Sequence, residues 1–139
     1  MKMLLQKYAL MVAWAQALVA TLGSLFFSLV MEFPPCDLCW YQRIAMYPLV
    51  VILGISIWKK DKGALLYAWP FAVIGWVIAL YHTLLYHNIL PESAAPCTAG
   101  ISCTTKYVEY FGFLTIPLLS LLAFTIILAC LLVEKRRKN

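Results

Sequence analysis

The sequence predicts an all-α membrane protein: a four-transmembrane-helix bundle with both termini cytoplasmic and two extracytoplasmic loops, each holding a cysteine pair. Three observations predict it. Of 139 residues, 64% are hydrophobic and only 12% charged, against roughly 45–50% apolar and about 25% charged in a soluble domain. The apolar residues fall into four runs, three of them at or above the ~20 residues that cross a hydrocarbon core about 30 Å thick and one shorter. Nine of the 11 basic residues lie in three clusters flanking those runs, which is an orientation signal for a membrane protein rather than a phosphate-binding stripe. Nucleic acid is therefore excluded as a partner, and residues 1–139 form a single integral membrane domain.

The first run, 8–31, is bounded by Lys7 and Glu32. It exceeds the 7–15 apolar residues typical of a signal peptide and reads as a retained helix. The second run, Ile44 to Trp58, has only 15 residues, about 22 Å of helix and too short to cross. It must extend toward its N-terminal side, and a helix over 39–58 supplies the missing length. That start sets Cys39 at the membrane boundary and Arg43 about 6 Å deeper.

A basic turn, Lys59-Lys60-Asp61-Lys62-Gly63, leads to a third helix over 64–86, with Pro70 near its start. The polar segment 87–110 contains Pro91, Pro96, Gly100, Cys97 and Cys103 and reads as a loop. The fourth run, 111–133, contains Pro117, expected as a kink about two turns in. It ends at Glu134-Lys135-Arg136-Arg137-Lys138. By the positive-inside rule the termini and the basic turn are cytoplasmic. Loops 32–38 and 87–110 then face outward, in a multi-pass protein of the cell membrane, and they contain four of the five cysteines.

Disulfides persist on that face. Cys36 and Cys39 form a Cys-x-x-Cys pair, a small ring that gains little from chain entropy and serves more often in redox chemistry than as a staple. Cys97 and Cys103 form a second close pair, for which a structural staple is the bland alternative. A thiol in the first turn of a helix feels the positive end of the macrodipole. Arg43, four residues after Cys39, adds a cation on the same face, so the sequence favours a thiolate on Cys39. A snorkelling interfacial arginine is the bland reading of Arg43. His82, one turn inside the outer end of the third helix, is either part of an aromatic belt or a proton donor or hydrogen-bond partner to the site. Cys130, near the cytoplasmic end of the fourth helix, is expected to be a packing residue.

Taken together, Cys36-x-x-Cys39, Arg43 four residues on, His82-Thr83 near the outer end of helix three and the pair Cys97 and Cys103 before helix four resemble the DsbB family. The similarity is greatest to the short Gram-positive BdbC type and covers essentially the whole chain. The resemblance implies a quinone-dependent protein disulfide oxidoreductase that reoxidises a DsbA-like (BdbD-type) thioredoxin-fold thiol oxidase, with menaquinone rather than ubiquinone as acceptor. By position, the partner would attack Cys97, whose pair is Cys103. Cys36 would exchange with Cys103, and Cys39 would interact with the quinone. Arg43 matches the family's quinone-site arginine and His82 a histidine near the quinone head. Only five residues separate Cys97 from Cys103, far fewer than in the Gram-negative type. A small, exposed ring makes a more oxidising disulfide.

Three other readings compete. Vitamin K epoxide reductase-like enzymes also combine loop cysteines with a Cys-x-x-Cys, but there the loop pair comes first. The four outer cysteines could instead form a tetrahedral zinc site, which an oxidising face disfavours; no residue is assigned to a metal. A non-enzymatic four-helix subunit would hold inert disulfides.

Overall fold

The computed structural model describes residues 2–32, 36–61, 63–91, 93, 109–110 and 114–138. Cys97, Cys103 and most of loop 87–110 lie outside the described residues, as do Pro34 and Pro35. Helices α1 (Lys2–Leu29), α2 (Asp37–Lys59), α3 (Ala64–Tyr86) and α4 (Ile116–Lys138) make up the bundle, with a two-strand hairpin, β1 (Glu109–Tyr110) and β2 (Leu114–Thr115), ahead of α4. All four helices are long and apolar enough to cross a membrane.

Several helix limits differ from the sequence reading, each for a local reason. Helix α1 begins at Lys2 rather than at residue 8, because Lys2 and Lys7 mark where the apolar span starts and do not break a helix. Helix α2 begins at Asp37 rather than at residue 39. A carboxylate in the first turn suits the positive end of the helix macrodipole. The largest shift is in α4, which begins at Ile116 rather than at residue 111. Thr115 accepts a hydrogen bond from the backbone N–H of Leu118 (3.4 Å) and caps the helix. Pro117 thus sits in the first turn, where its missing N–H would be unpaired anyway, and is no mid-helix kink. Residues 109–110 and 114–115 pair antiparallel, Glu109 opposite Thr115 and Tyr110 opposite Leu114. Hydropathy could not separate Leu114 and the apolar residues just before it from helix.

Helix α1 packs on α2 and α4, and α3 packs on the same two, so the helices form a ring in chain order. Short connections make successive helices antiparallel. Inside a bilayer, apolar side chains gain nothing by leaving lipid, so contact depends on close packing. The interfaces are accordingly rich in alanine: Ala9, Ala13 and Ala17 on α1, Ala68, Ala72 and Ala79 on α3, and Ala123 on α4 are all buried. At Gly75 a Cβ would lie 2.1 Å from Phe124 Cε1, so only glycine admits that fully buried ring between α3 and α4. Trp14 donates to the carbonyl of Val50 (3.1 Å) and ties α1 to α2, and Trp76 donates to Thr125 Oγ1 (3.0 Å), tying α3 to α4. Val19, Phe26, Ile44, Val51 and Val77 are exposed on the outer faces, as lipid-facing positions should be.

The basic turn is tightly built. Lys60 takes a left-handed conformation (φ 53°) and its N–H meets the carbonyls of Ile57 and Ser56. The N–H of Asp61 also donates to the Ser56 carbonyl (3.1 Å), and Asp61 Oδ1 accepts from the N–H of Gly63 (2.8 Å). This closure reverses the chain in four residues and aligns α2 beside α3, bringing the start of α2 next to the end of α3.

Candidate redox site at the α2–α3 end

Cys36 occupies the N-cap position of α2 with extended backbone (φ −76°, ψ 172°), and its carbonyl accepts the N–H of Trp40 (3.1 Å). Cys39 lies in the first turn. One turn joins the two residues, so their Sγ atoms approach to 3.2 Å, and both are free thiols. Cys36 is buried with Leu38 and Leu85 in a small apolar cluster that Cys39, Ile78, Tyr81 and Leu90 border.

His82 closes the site from α3. It is 2% exposed, with Nε2 3.8 Å from Cys36 Sγ and Nδ1 3.0 Å from Gln42 Nε2. With the Gln42 amide donating to Nδ1, a neutral ring has its proton on Nε2, aimed at Cys36. Next to His82, Thr83 turns its hydroxyl back to the carbonyl of Ala79 (2.8 Å) and so stays out of the cluster.

These neighbours decide which sulfur is the better thiolate. The Cys36 thiol is held well below its ordinary value, chiefly by its hydrogen bond with Cys39, with a further contribution from His82; burial opposes both. The sequence favoured Cys39, on the strength of the helix dipole and Arg43. The difference arises because Cys36 has both the Cys39 hydrogen bond and His82 beside it, while the Arg43 side chain turns toward α1.

Arg43 donates from Nη2 to the carbonyl of Ser24 (3.0 Å) and to the hydroxyl of Ser28. Its guanidinium lies 5.2 Å from the centre of the Trp40 ring. Its Nε is buried and has no hydrogen-bond partner among the described residues. Arg43 is thus a fixed charge at the junction of α1 and α2, not a free snorkelling side chain.

Of the residues singled out in the sequence, Cys36, Cys39 and His82 come together and Arg43 lies one turn beyond them. Cys97 and Cys103 lie outside the described residues. Cys130 is on α4 and partly buried, in contact with the main core rather than with this cluster. Gln42 escaped notice, although a buried amide three residues after Cys39 in an apolar helix was a usable signal. Ser24 and Ser28, one turn apart on α1, carried no signal until Arg43 was seen between them.

Residues 6–134 match the model of the family described as "Disulfide bond formation protein DsbB". The chain is 47% identical over 139 residues to "Probable disulfide formation protein C 2" of Bacillus anthracis, covering 98% of each chain. It is 44% identical over 127 residues to "Disulfide bond formation protein C" of Bacillus subtilis, covering 91% of this chain and 92% of that one. Similarity extends to a "Probable disulfide formation protein" of Coxiella burnetii, 42% identical over 144 residues, covering 98% of this chain and 97% of that one. No solved structure matches the chain. A match this long, to the family model and to full-length relatives alike, places the chain in the DsbB family.

Proposed function

We propose that this protein is a multi-pass membrane thiol-disulfide oxidoreductase that reoxidises an extracytoplasmic thioredoxin-fold dithiol oxidase and delivers the electrons to a membrane quinone. The observation that supports it most is the Cys36, Cys39 and His82 cluster at the outer end of α2 and α3, with the two sulfurs 3.2 Å apart. The bias of basic residues toward the other ends of the helices supports cytoplasmic termini and outward-facing cysteine loops. The names of the relatives support disulfide formation as the net reaction.

In this reading the partner's thiolate attacks Cys97 of a Cys97–Cys103 disulfide and releases the Cys103 thiolate. Resolution leaves the partner with an S–S bond and loop 87–110 with a dithiol. Exchange with a Cys36–Cys39 disulfide restores the loop disulfide and leaves Cys36 and Cys39 reduced. Two electrons and two protons have then moved inward. Cys36 is held as thiolate by its neighbours; with the Gln42 amide rotated so that its oxygen accepts from Nδ1–H, His82 Nε2 takes up or returns a proton at Cys36 Sγ. Cys39 borders the cluster and is partly exposed, so its sulfur is the one to meet the acceptor.

The residues fit a quinone head. Arg43 offers a buried Nε donor with no protein acceptor, which a carbonyl oxygen would satisfy, and Trp40 beside it is 51% exposed toward lipid. A bound quinone supplies a lipid-soluble acceptor of two electrons and two protons. Menaquinone is the expected one, from the resemblance to the short Gram-positive type.

The test is quinone reduction by the purified protein with a reduced thioredoxin-fold partner, repeated with Cys36, Cys39, Cys97 and Cys103 each changed to Ser. All four changes should abolish turnover. Activity surviving any one of them overturns the two-pair relay.

A further inference from the structure

The geometry points to a second property of the inner pair: in the dithiol state Cys36, Cys39 and His82 form a three-ligand site for a soft divalent cation of the zinc class, whose occupancy blocks electron transfer. One ligand atom from each residue lies within 4.8 Å of the other two. With Zn–S near 2.3 Å and Zn–N near 2.0–2.1 Å, tetrahedral angles place sulfurs about 3.8 Å apart and a sulfur about 3.6 Å from nitrogen. The observed separations are 3.2 Å for Cys36 Sγ to Cys39 Sγ and 3.8 Å for Cys36 Sγ to His82 Nε2. The sulfurs need to part by about 0.6 Å to reach the ideal edge, a shift within reach of a χ1 adjustment at Cys39, which is only partly buried.

The surroundings favour a metal beyond what a bare Cys-x-x-Cys would do. A ligating histidine needs its other nitrogen held by an outer partner, which fixes the ring and its tautomer. Gln42 already stands 3.0 Å from His82 Nδ1. Rotating its amide presents the carbonyl oxygen to an Nδ1–H and frees the Nε2 lone pair for the cation. Two thiolates and one imidazole match zinc and its softer congeners better than the oxygen-seeking magnesium or calcium. Three protein ligands leave the fourth position open to water, which Cys39's partial exposure allows.

The site is gated by oxidation state. Joining Cys36 to Cys39 as a disulfide removes both thiolate ligands, so only the reduced protein binds. A bound cation in turn holds the pair reduced, because neither sulfur can form the S–S bond while it is coordinated. This consequence for turnover rests on the redox function proposed above. Binding itself does not.

The experiment uses the full chain with Cys97 and Cys103 changed to Ser, reduced and freed of metal, with zinc alone titrated against a chromophoric chelator and neither quinone nor partner present. One equivalent should bind. His82→Ala should weaken it at least tenfold and Gln42→Leu about tenfold, and Cys36→Ser or Cys39→Ser should abolish it. No binding, equal affinity in His82→Ala, or binding that survives loss of either cysteine overturns the site. Should His82→Ala not fold, X-ray absorption of the zinc-loaded parent decides, two sulfurs and one imidazole supporting the proposal and two sulfurs without imidazole overturning it. In the protein with all its cysteines, zinc should slow partner oxidation and a chelator should restore it. A protein that binds zinc but never reduces quinone refutes the redox function and leaves the site standing.

Discussion

Gln42 and His82 meet across the α2–α3 interface with Gln42 Nε2 3.0 Å from His82 Nδ1, and the far ring nitrogen points at Cys36 Sγ. An amide on one helix thereby sets which nitrogen of an imidazole on another faces Cys36 Sγ. Replacing Gln42 by Leu removes the amide's hydrogen bond to the buried ring, at about 1–3 kcal/mol of stability. Turnover should fall roughly two- to tenfold, the value of one net hydrogen bond. Gln42→Glu, once ionised, can only accept, so it moves the ring proton to Nδ1. It should keep the stability yet shift the pH profile of turnover. Identical profiles for Glu and Gln would show that the tautomer is immaterial.

His82→Ala removes the proposed proton carrier at Cys36. Proton transfer by a positioned side chain contributes on the order of 10²–10⁴ in rate, and a loss in that range is expected in reoxidation of the inner pair, followed by stopped-flow quinone reduction. Exchange between the partner and loop 87–110 should proceed unchanged, which separates a local effect from misfolding.

The depressed Cys36 thiol gives reduced protein a pH dependence of definite sign. An acid whose folded value lies below its unfolded one adds stability that is complete above the ordinary thiol range, and that stability is lost as pH falls through the folded value. Thiolate absorbance of the reduced protein, in metal-free buffer and with Cys97, Cys103 and Cys130 replaced, should therefore persist well below neutral pH. His82→Ala should move that transition upward. A transition at the ordinary thiol value would remove Cys36 as the resting thiolate.

Arg43 is held by two acceptors on α1, the Ser24 carbonyl and the Ser28 hydroxyl. Ser28→Ala deletes one of them and should cost about 0.5–1.5 kcal/mol with a modest rise in the Michaelis constant for quinone. Arg43→Met should raise that constant strongly. Unaltered kinetics in Arg43→Met would refute a role for this cation at the acceptor.

Gly75→Ala tests the packing that seats α3. Its Cβ would fall 2.1 Å from Phe124 Cε1, so overpacking should lower stability by about 1–3 kcal/mol, read as a thermal transition in detergent. Phe124→Leu in the same chain should recover part of the loss.

How much could be read without coordinates follows from the range of the interactions involved. Four apolar runs, their basic flanks and the Cys36-x-x-Cys39 spacing are local patterns, and hydrocarbon thickness acts on each run independently. The number of helices and the position of the cysteine pair at a helix start were therefore legible. The start of α4 was misplaced because residues 111–114, Phe-Gly-Phe-Leu, continue the apolar run into the helix; Thr115 was the overlooked local cue, and Pro117, read as a kink, marks the first turn. Pairing between helices left no such trace. That His82 faces Cys36 rather than lipid, that Gln42 orients it, and that Arg43 binds Ser24 and Ser28 all depend on how the helices rotate about their axes. That rotation is set by buried alanines and by Gly75 against Phe124, through contacts between residues far apart in the chain. The residue types of a redox site were thus present in the sequence, while the identity of the favoured thiolate came from packing, because a charge on sulfur is governed by whatever lies within a few ångströms of it.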